Sequence, residues 1–173
     1  MLIWLNGAFG AGKTRVARRI VAIRPGALLF DPERIGFLLR RLLPMDGIAD
    51  FQDLPLWRTL TIQLLGEAAR RVTGPLVVPM SLSNPTYFEE IFGGLRSAGL
   101  DPRHFTLTAP PKTLRRRLRR RLDWPASRRW ALARAERCAA ALANPVFAEH
   151  VDTEHRRVAV IAADVLARAE GRG

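Results

Sequence analysis

Cysteine occurs once in this chain, at Cys138, so no internal disulfide braces the fold and no thiolate cluster can hold a metal. Buried filler is its expected role. Lysine is almost as scarce: of 28 Lys and Arg residues, only Lys13 and Lys112 are lysines. Long apolar runs are missing as well, and none approaches the roughly eighteen residues a membrane span requires. The first apolar run has no basic segment or small-residue cleavage site before it, so a signal peptide is not expected and the cytoplasm is the expected compartment. Acids number 16, which leaves a net charge of +12. With 48% hydrophobic and 25% charged residues, the 173-residue chain is expected to fold as one globular domain over 1–173, without repeats or low-complexity segments.

Against so much arginine, the placing of Lys13 is informative. It belongs to Gly7-Ala8-Phe9-Gly10-Ala11-Gly12-Lys13-Thr14, a full match to G-x-x-x-x-G-K-[ST], directly after the apolar run Leu2–Leu5. Strand, glycine turn and helix start are the context that pattern needs. The glycines let successive N–H groups face an anion, at a helix N-terminus whose dipole favours negative charge. Lys13 supplies a compact point charge for the terminal phosphates, and the Thr14 hydroxyl is a ligand for Mg²⁺. We read residues 7–14 as a nucleotide-binding loop for ATP and Mg²⁺.

The remaining pattern alternates strands with helices. Helices are predicted at about 14–23, 32–43, 54–72, 85–97, 110–122, 127–142 and 157–169. Strands are predicted at 2–5, 27–30, 76–80, 103–108 and 150–152, with a Pro/Gly/Asp-rich connection over 44–53. Such alternation predicts a three-layer α/β fold of the P-loop NTPase type, with a five-stranded parallel sheet between helices. Ligands then bind beyond the carboxyl ends of the strands.

That edge collects further candidates. Asp31 follows the second strand, which is expected to lie close to the phosphate loop; its carboxylate can take a proton from an attacking hydroxyl or hold Mg²⁺ through water. Asp31-Pro32-Glu33 is equally a helix-capping sequence, and one carboxylate can serve both ends. The third strand ends Val77-Val78-Pro79-Met80-Ser81 with no acid, which argues against a motor ATPase or a GTPase switch and puts more weight on Asp31. Trp57 and Arg58 are expected at the site mouth, where ring and cation suit an acceptor with a ring and a polar or anionic group; a half-buried tryptophan and a solvated arginine fit the pattern as well.

Residues 113–137 hold ten arginines against Asp123 and Glu136. Two helices broken near Trp124-Pro125 suggest a mobile lid, about 113–137, that neutralises charge on the transferring phosphoryl group and excludes water. Arginine on every side of the helix means that two or three touch ligand, and Arg117 and Arg121 are the candidates.

Several stretches resemble the tunicamycin-resistance ATP-binding proteins over roughly residues 1–165. They are Ile3-Trp4-Leu5-Asn6-Gly7-Ala8-Phe9-Gly10, Asp31-Pro32-Glu33 with Gly36-Phe37, Phe51-Gln52, Pro55-Leu56-Trp57-Arg58, Val78-Pro79-Met80, Tyr87-Phe88, His104-Phe105-Thr106-Leu107, Trp130 and Arg137-Cys138. The resemblance implies an ATP-binding, nucleoside/nucleotide-kinase-like fold that protects a bacterium from a uridine-containing lipophilic antibiotic. It implies a catalytic role for Asp31, and an acceptor side made of Asp31, Phe37, Gln52, Trp57, Arg58, Met80 and Arg137. The chain ends soon after its last helix, so a membrane-associating extension is not expected, while peripheral membrane contact stays open.

The leading expectation is a small-molecule phosphotransferase acting on the drug. Alternatives are an ATP-dependent protein that sequesters the drug without chemistry and a polynucleotide or other nucleotide kinase. A nucleic-acid partner is not expected, because an arginine patch beside a nucleotide site explains the charge. The sequence does not specify an oligomeric state.

Overall fold

The first strand, β1 (Leu2–Gly7), is buried at all six positions, as a strand covered on both faces must be. It forms the centre of the sheet in the computed structural model, which describes residues 1–120 and 125–171, with residues 125–128 described by their backbone alone. The other strands are β2 (Leu28–Leu29), β3 (Leu76–Pro79), β4 (Pro102–Thr108) and β5 (His150–Asp152). All pair in parallel, in the order β2-β3-β1-β4-β5. Pairing of the short β2 continues past its end, since Phe30 N–H donates to Val77 O at 2.9 Å.

Among the described residues seven α-helices connect and cover the strands: α1 (Lys13–Ile23), α2 (Glu33–Leu42), α3 (Pro55–Arg71), α4 (Pro85–Ser97), α5 (Pro111–Arg119), α6 (Pro125–Ala141) and α7 (Val158–Glu170). Proline stands first in α3, α4, α5 and α6, where its missing N–H leaves no hydrogen bond unmade. Asn84 caps α4, its Oδ1 accepting from Thr86 N–H at 2.9 Å. α6 begins at Pro125, two residues before the predicted start, because that proline opens the helix rather than breaking it. The connection over 44–53 contains a 3₁₀ turn at Phe51–Asp53.

Packing against the sheet is specific. Trp4 pairs in register with His104 and meets Phe92 of α4, with ring centroids 5.3 Å apart. Phe88 stacks on Phe92 at 4.1 Å, and both rings contact His104, at 4.8 and 5.3 Å. The sheet residues and the inner faces of α1, α4 and α7 merge into one apolar cluster. α1 packs on α7, α3 on α4, and α5 on α6.

His104 contacts the Ala148 carbonyl through Nδ1 at 2.9 Å. Burial among the rings pulls its pKa from 6.5 down to about 4, against the opposing carbonyl bond, and His150 adds to the lowering. The unfolded chain therefore binds a proton at His104 before the folded one does. Stability from this site is complete above pH 6.5 and is lost as pH falls towards 4. Urea midpoints measured over that range should fall more for the parent protein than for His104→Gln, in which this contribution to the pH dependence is absent.

Candidate functional site

The loop between β1 and α1 has the conformation its glycines allow. Gly7, Gly10 and Gly12 have φ of 142°, 87° and 102°, where an L side chain is strained. At Gly7 an added Cβ would also stand 2.6 Å from Leu107 O. Gly12 opens α1 with no side-chain cap, and the first turn holds no acid. A Cβ at Gly12 would meet nothing within 4 Å. An uncapped helix N-terminus beside open space fits a phosphate group, both in hydrogen bonding and in dipole. The Lys13 ammonium lies over the loop, donating to Gly7 O at 2.8 Å and Ala8 O at 3.2 Å. Thr14, in the first turn of α1, is exposed. Mg²⁺ is usually held by one or two protein groups together with substrate phosphates, and an exposed hydroxyl with a carboxylate across the site fits that donor set.

The loop is held by buried polar groups that the sequence reading did not single out. Asn6 is fully buried. Its Oδ1 accepts from Gly7 N–H (2.8 Å) and Leu82 N–H (2.9 Å), and its Nδ2 donates to Leu82 O (2.8 Å). The Ser81 hydroxyl donates to Gly7 O at 3.0 Å. An asparagine at the end of an otherwise apolar buried strand was the available signal, because such an amide must find partners.

Asp31 lies farther from the loop than the sequence suggested. β3 stands between β2 and β1, so the end of β2 is two strand spacings, about 10 Å, from the end of β1. Asp31 Oδ1 accepts from Glu33 N–H at 3.0 Å, the turn that opens α2. Among the described residues its second oxygen has no hydrogen-bond partner. The capping and site-facing roles are thus structurally compatible.

On the opposite side, Arg117 of α5 reaches the loop. Its Nη1 stands 3.5 Å from Ala11 O and donates to Thr153 Oγ1 at 2.9 Å, while Nη2 donates to Thr153 O at 2.8 Å. Thr153 is buried and its hydroxyl donates to Thr108 O at 2.8 Å, which fixes the guanidinium beside the loop. Partial burial lowers the Arg117 pKa, with Glu154 opposing. Arg121 lies outside the described residues.

A cleft of about 540 Å³ opens next to the loop. One wall carries Asp50, Gln52, Asp53, Asn84 and Tyr87; the other, from α6, carries Trp130, Arg134, Arg137 and Cys138, with Phe9 of the loop between them. Trp130 meets Phe9 edge-on at 5.0 Å, and the Arg134 guanidinium lies 4.4 Å from the Trp130 ring centre. Cys138 is buried, as its expected filler role requires, and burial pushes its thiol pKa up. A second cleft, about 430 Å³, lies where the strands begin, among Met1, Gly74, Gly99 and Asp101. Ligand chemistry in an open α/β sheet belongs at the carboxyl ends, so the first cleft is the candidate site.

The expected acceptor residues divide into groups. Gln52 and Arg137 line the cleft, and Gln52 Nε2 also donates to Ser81 O at 3.2 Å. Arg58 lies behind the wall: its Nε donates to Glu90 at 2.6 Å, its Nη1 to Gln52 O at 2.6 Å, and its guanidinium covers the Tyr87 ring at 4.2 Å. Tyr87 in turn donates to Asp53 at 3.1 Å. Arg58 is therefore a buried brace for the wall and not a solvated cation. Asp31 is absent from the lining as well, and the expectations for Trp57, Met80 and Phe37 are corrected. Trp57 is 0% exposed, with its indole N–H donating to Pro32 O at 3.0 Å, so it ties α3 to the start of α2 and does not reach the site mouth. Met80 is 1% exposed and belongs to the core. Phe37 is on the outer face of α2, 55% exposed, in edge contact with Phe51 and outside the cleft lining.

A central parallel sheet, a glycine loop opening α1 and a helical cover with an arginine on the loop together define a P-loop protein of the kinase-like α/β class, a fold that implies nucleotide binding. A family model described as an AAA domain matches residues 2–129. The structure of the Deinococcus radiodurans tunicamycin resistance protein is similar at TM-score 0.82 and 32% identity, over 98% of this chain and 95% of that one. The chain belongs to the AAA-domain family and to the family of that tunicamycin resistance protein. A gluconokinase from Sinorhizobium meliloti (TM-score 0.63, 18% identity, 96% of this chain and 91% of that one) has the same fold. So does shikimate kinase from Bacteroides thetaiotaomicron (0.63, 18%, 98% of each chain). The comparison with curated proteins found no match. Among the described residues no helix is long and apolar enough to cross a membrane.

The Trp57 assignment has a direct check. Trp57→Phe keeps a ring in the core but removes the indole donor to Pro32 O, which still accepts from Ile35 N–H at 3.1 Å, and leaves the volume of the lost ring empty. It should cost about 1–3 kcal/mol in urea unfolding, for the lost bond and the cavity together. Nucleotide affinity, followed with a fluorescent ATP analogue, should change less than about twofold, a shift below roughly 0.5 kcal/mol.

Proposed function

We propose that this protein is an ATP-dependent phosphotransferase acting on a hydroxyl of tunicamycin. The observation that carries the reading is a phosphate loop with a mixed polar and aromatic cleft beside it, on the sheet edge where Asp31 follows β2. Loop amides and Lys13 hold the phosphates of ATP, and Arg117, fixed by Thr153, adds positive charge at the loop's other side. Thr14 would hold Mg²⁺ directly and Asp31 would hold it through water, and the ion when bound neutralises phosphate charge. Asp31 accepts the proton of the attacking hydroxyl through the oxygen not engaged by Glu33. Gln52, Asp50 and Asp53 orient the acceptor's polar groups from one wall, while Arg134 and Arg137 face them from α6. Trp130 and Phe9 give a ring or chain of the acceptor an apolar surface and exclude water from the loop.

Incubation of tunicamycin with the protein, ATP and Mg²⁺, followed by mass spectrometry, should give a product heavier by one phosphoryl group and an equivalent of ADP. Tight binding of the drug with no change in its mass would instead favour sequestration without chemistry and sink the kinase reading. Asp31→Asn should reduce turnover by roughly the 10²–10⁴-fold range of a lost general base while leaving ATP affinity near that of the parent. Retained turnover would remove Asp31 from that role.

A further inference from the structure

The nucleotide site uses few of the cations on α5. Around that helix Thr113, Leu114 and Leu118 are buried, and Arg117 turns to the phosphate loop. Lys112, Arg115, Arg116, Arg119 and Arg120 occupy the opposite arc, are all exposed, and line one groove of about 350 Å³. Their spacing of i, i+3, i+4, i+7 and i+8 makes a single stripe along the helix, about 12 Å long. Two acids touch it: Glu136 pairs with Arg115, and Glu154 lies 4.0 Å from Arg116 while also accepting from Thr113. Among the described residues Lys112, Arg119 and Arg120 have no acidic partner. The charge expected to serve ATP is therefore mostly turned away from it.

We infer that this face of α5 binds the phosphate backbone of a nucleic-acid duplex. Among the described residues the groove is lined by cations alone, four of them arginines, whose planar forks match phosphate oxygens. About 12 Å of duplex axis carries roughly seven phosphate charges, enough to engage the whole stripe. Leu114 and Leu118, the leucines of the helix, are buried in the protein, so among the described residues this face offers no apolar wedge for a lipid bilayer. The groove also has, among the described residues, no aromatic lining on which the bases of a single strand could stack. Recognition is by backbone charge, without reading of sequence, and the net charge of +12 favours approach of such a polyanion.

The test uses the full chain with saturating ATP and Mg²⁺, so that the phosphate loop is occupied. Anisotropy of a labelled DNA duplex of about 20 base pairs should report binding, with log K falling against log salt at a slope between about −2.7 and −4.5 over roughly 50–200 mM, for three to five phosphates neutralised. The triple variant Lys112→Gln, Arg119→Gln, Arg120→Gln should bind the duplex at least about tenfold more weakly and reduce that slope by about 2.7, with ATP affinity and thermal midpoint unchanged. Absence of duplex binding, displacement of the duplex by ATP, or equal binding by the triple variant would overturn the inference. So would binding through these residues to vesicles one-third acidic phospholipid when the duplex does not bind.

Discussion

The buried amide of Asn6 is the contact on which the site's geometry depends. At the end of β1 the backbone leaves the sheet and turns through Gly7 into the phosphate loop. A chain leaving a parallel sheet loses its ladder partners, and its polar groups need others. Asn6 supplies them from one side chain, accepting from Gly7 and Leu82 and donating back to Leu82. Ser81 adds a fourth bond, to Gly7 O. Together they fix the start of the loop to the segment after β3, which leads through Asn84 into α4 and one wall of the cleft. Loop and this wall of the cleft are thus tied together by side-chain hydrogen bonds.

The arginines follow a different logic, set by how far each can be taken out of water. Arg58 is buried and tolerable there because Glu90, the Gln52 carbonyl and the Tyr87 ring meet its guanidinium. Arg117 is partly buried and satisfied by Thr153 on one side, with the loop on the other. Arg134 covers Trp130 at the cleft. The solvent arc of α5 carries the rest of that helix's charge, where exposure keeps the cost of each cation small. Residue type alone could not sort these roles; helix phase and the partners across the packing do.

Much of the fold was legible because its signals are local. The G-x-x-x-x-G-K-T match, the strand–helix alternation and prolines at helix starts each depend on neighbours in sequence, and they led to a five-stranded parallel sheet with seven helices. The candidate site was legible in part. Phe9, Gln52 and Arg137 do line the cleft, while Trp57 and Met80 are in the core. An aromatic or Met after a strand or at a helix start suits a pocket and a core equally well, and the difference is decided by what packs above it. Trp57 is closed over by the start of α2 through its bond to Pro32, a contact 25 residues distant in sequence. Thr153 carried no local mark, since its importance comes from standing across the sheet edge from Arg117.

Strand order has a consequence for chemistry that sequence order conceals. Asp31 and the phosphate loop follow consecutive strands in the chain, yet β3 separates them in the sheet. The resulting gap of about 10 Å is too wide for a carboxylate to touch the loop, and wide enough for a phosphoryl group with an acceptor oxygen in line. Between them the chain has Ser81, which is turned inward to Gly7 O, and no acid. A carboxylate at that middle position would stand beside the phosphates and repel their charge unless a cation were shared. With a serine there, strand order puts Asp31 two strands away from the loop, while Asp50 and Asp53 are the acids on the cleft wall. Its capping bond from Glu33 N–H engages one carboxylate oxygen at the start of α2 and leaves the other for the role proposed for it.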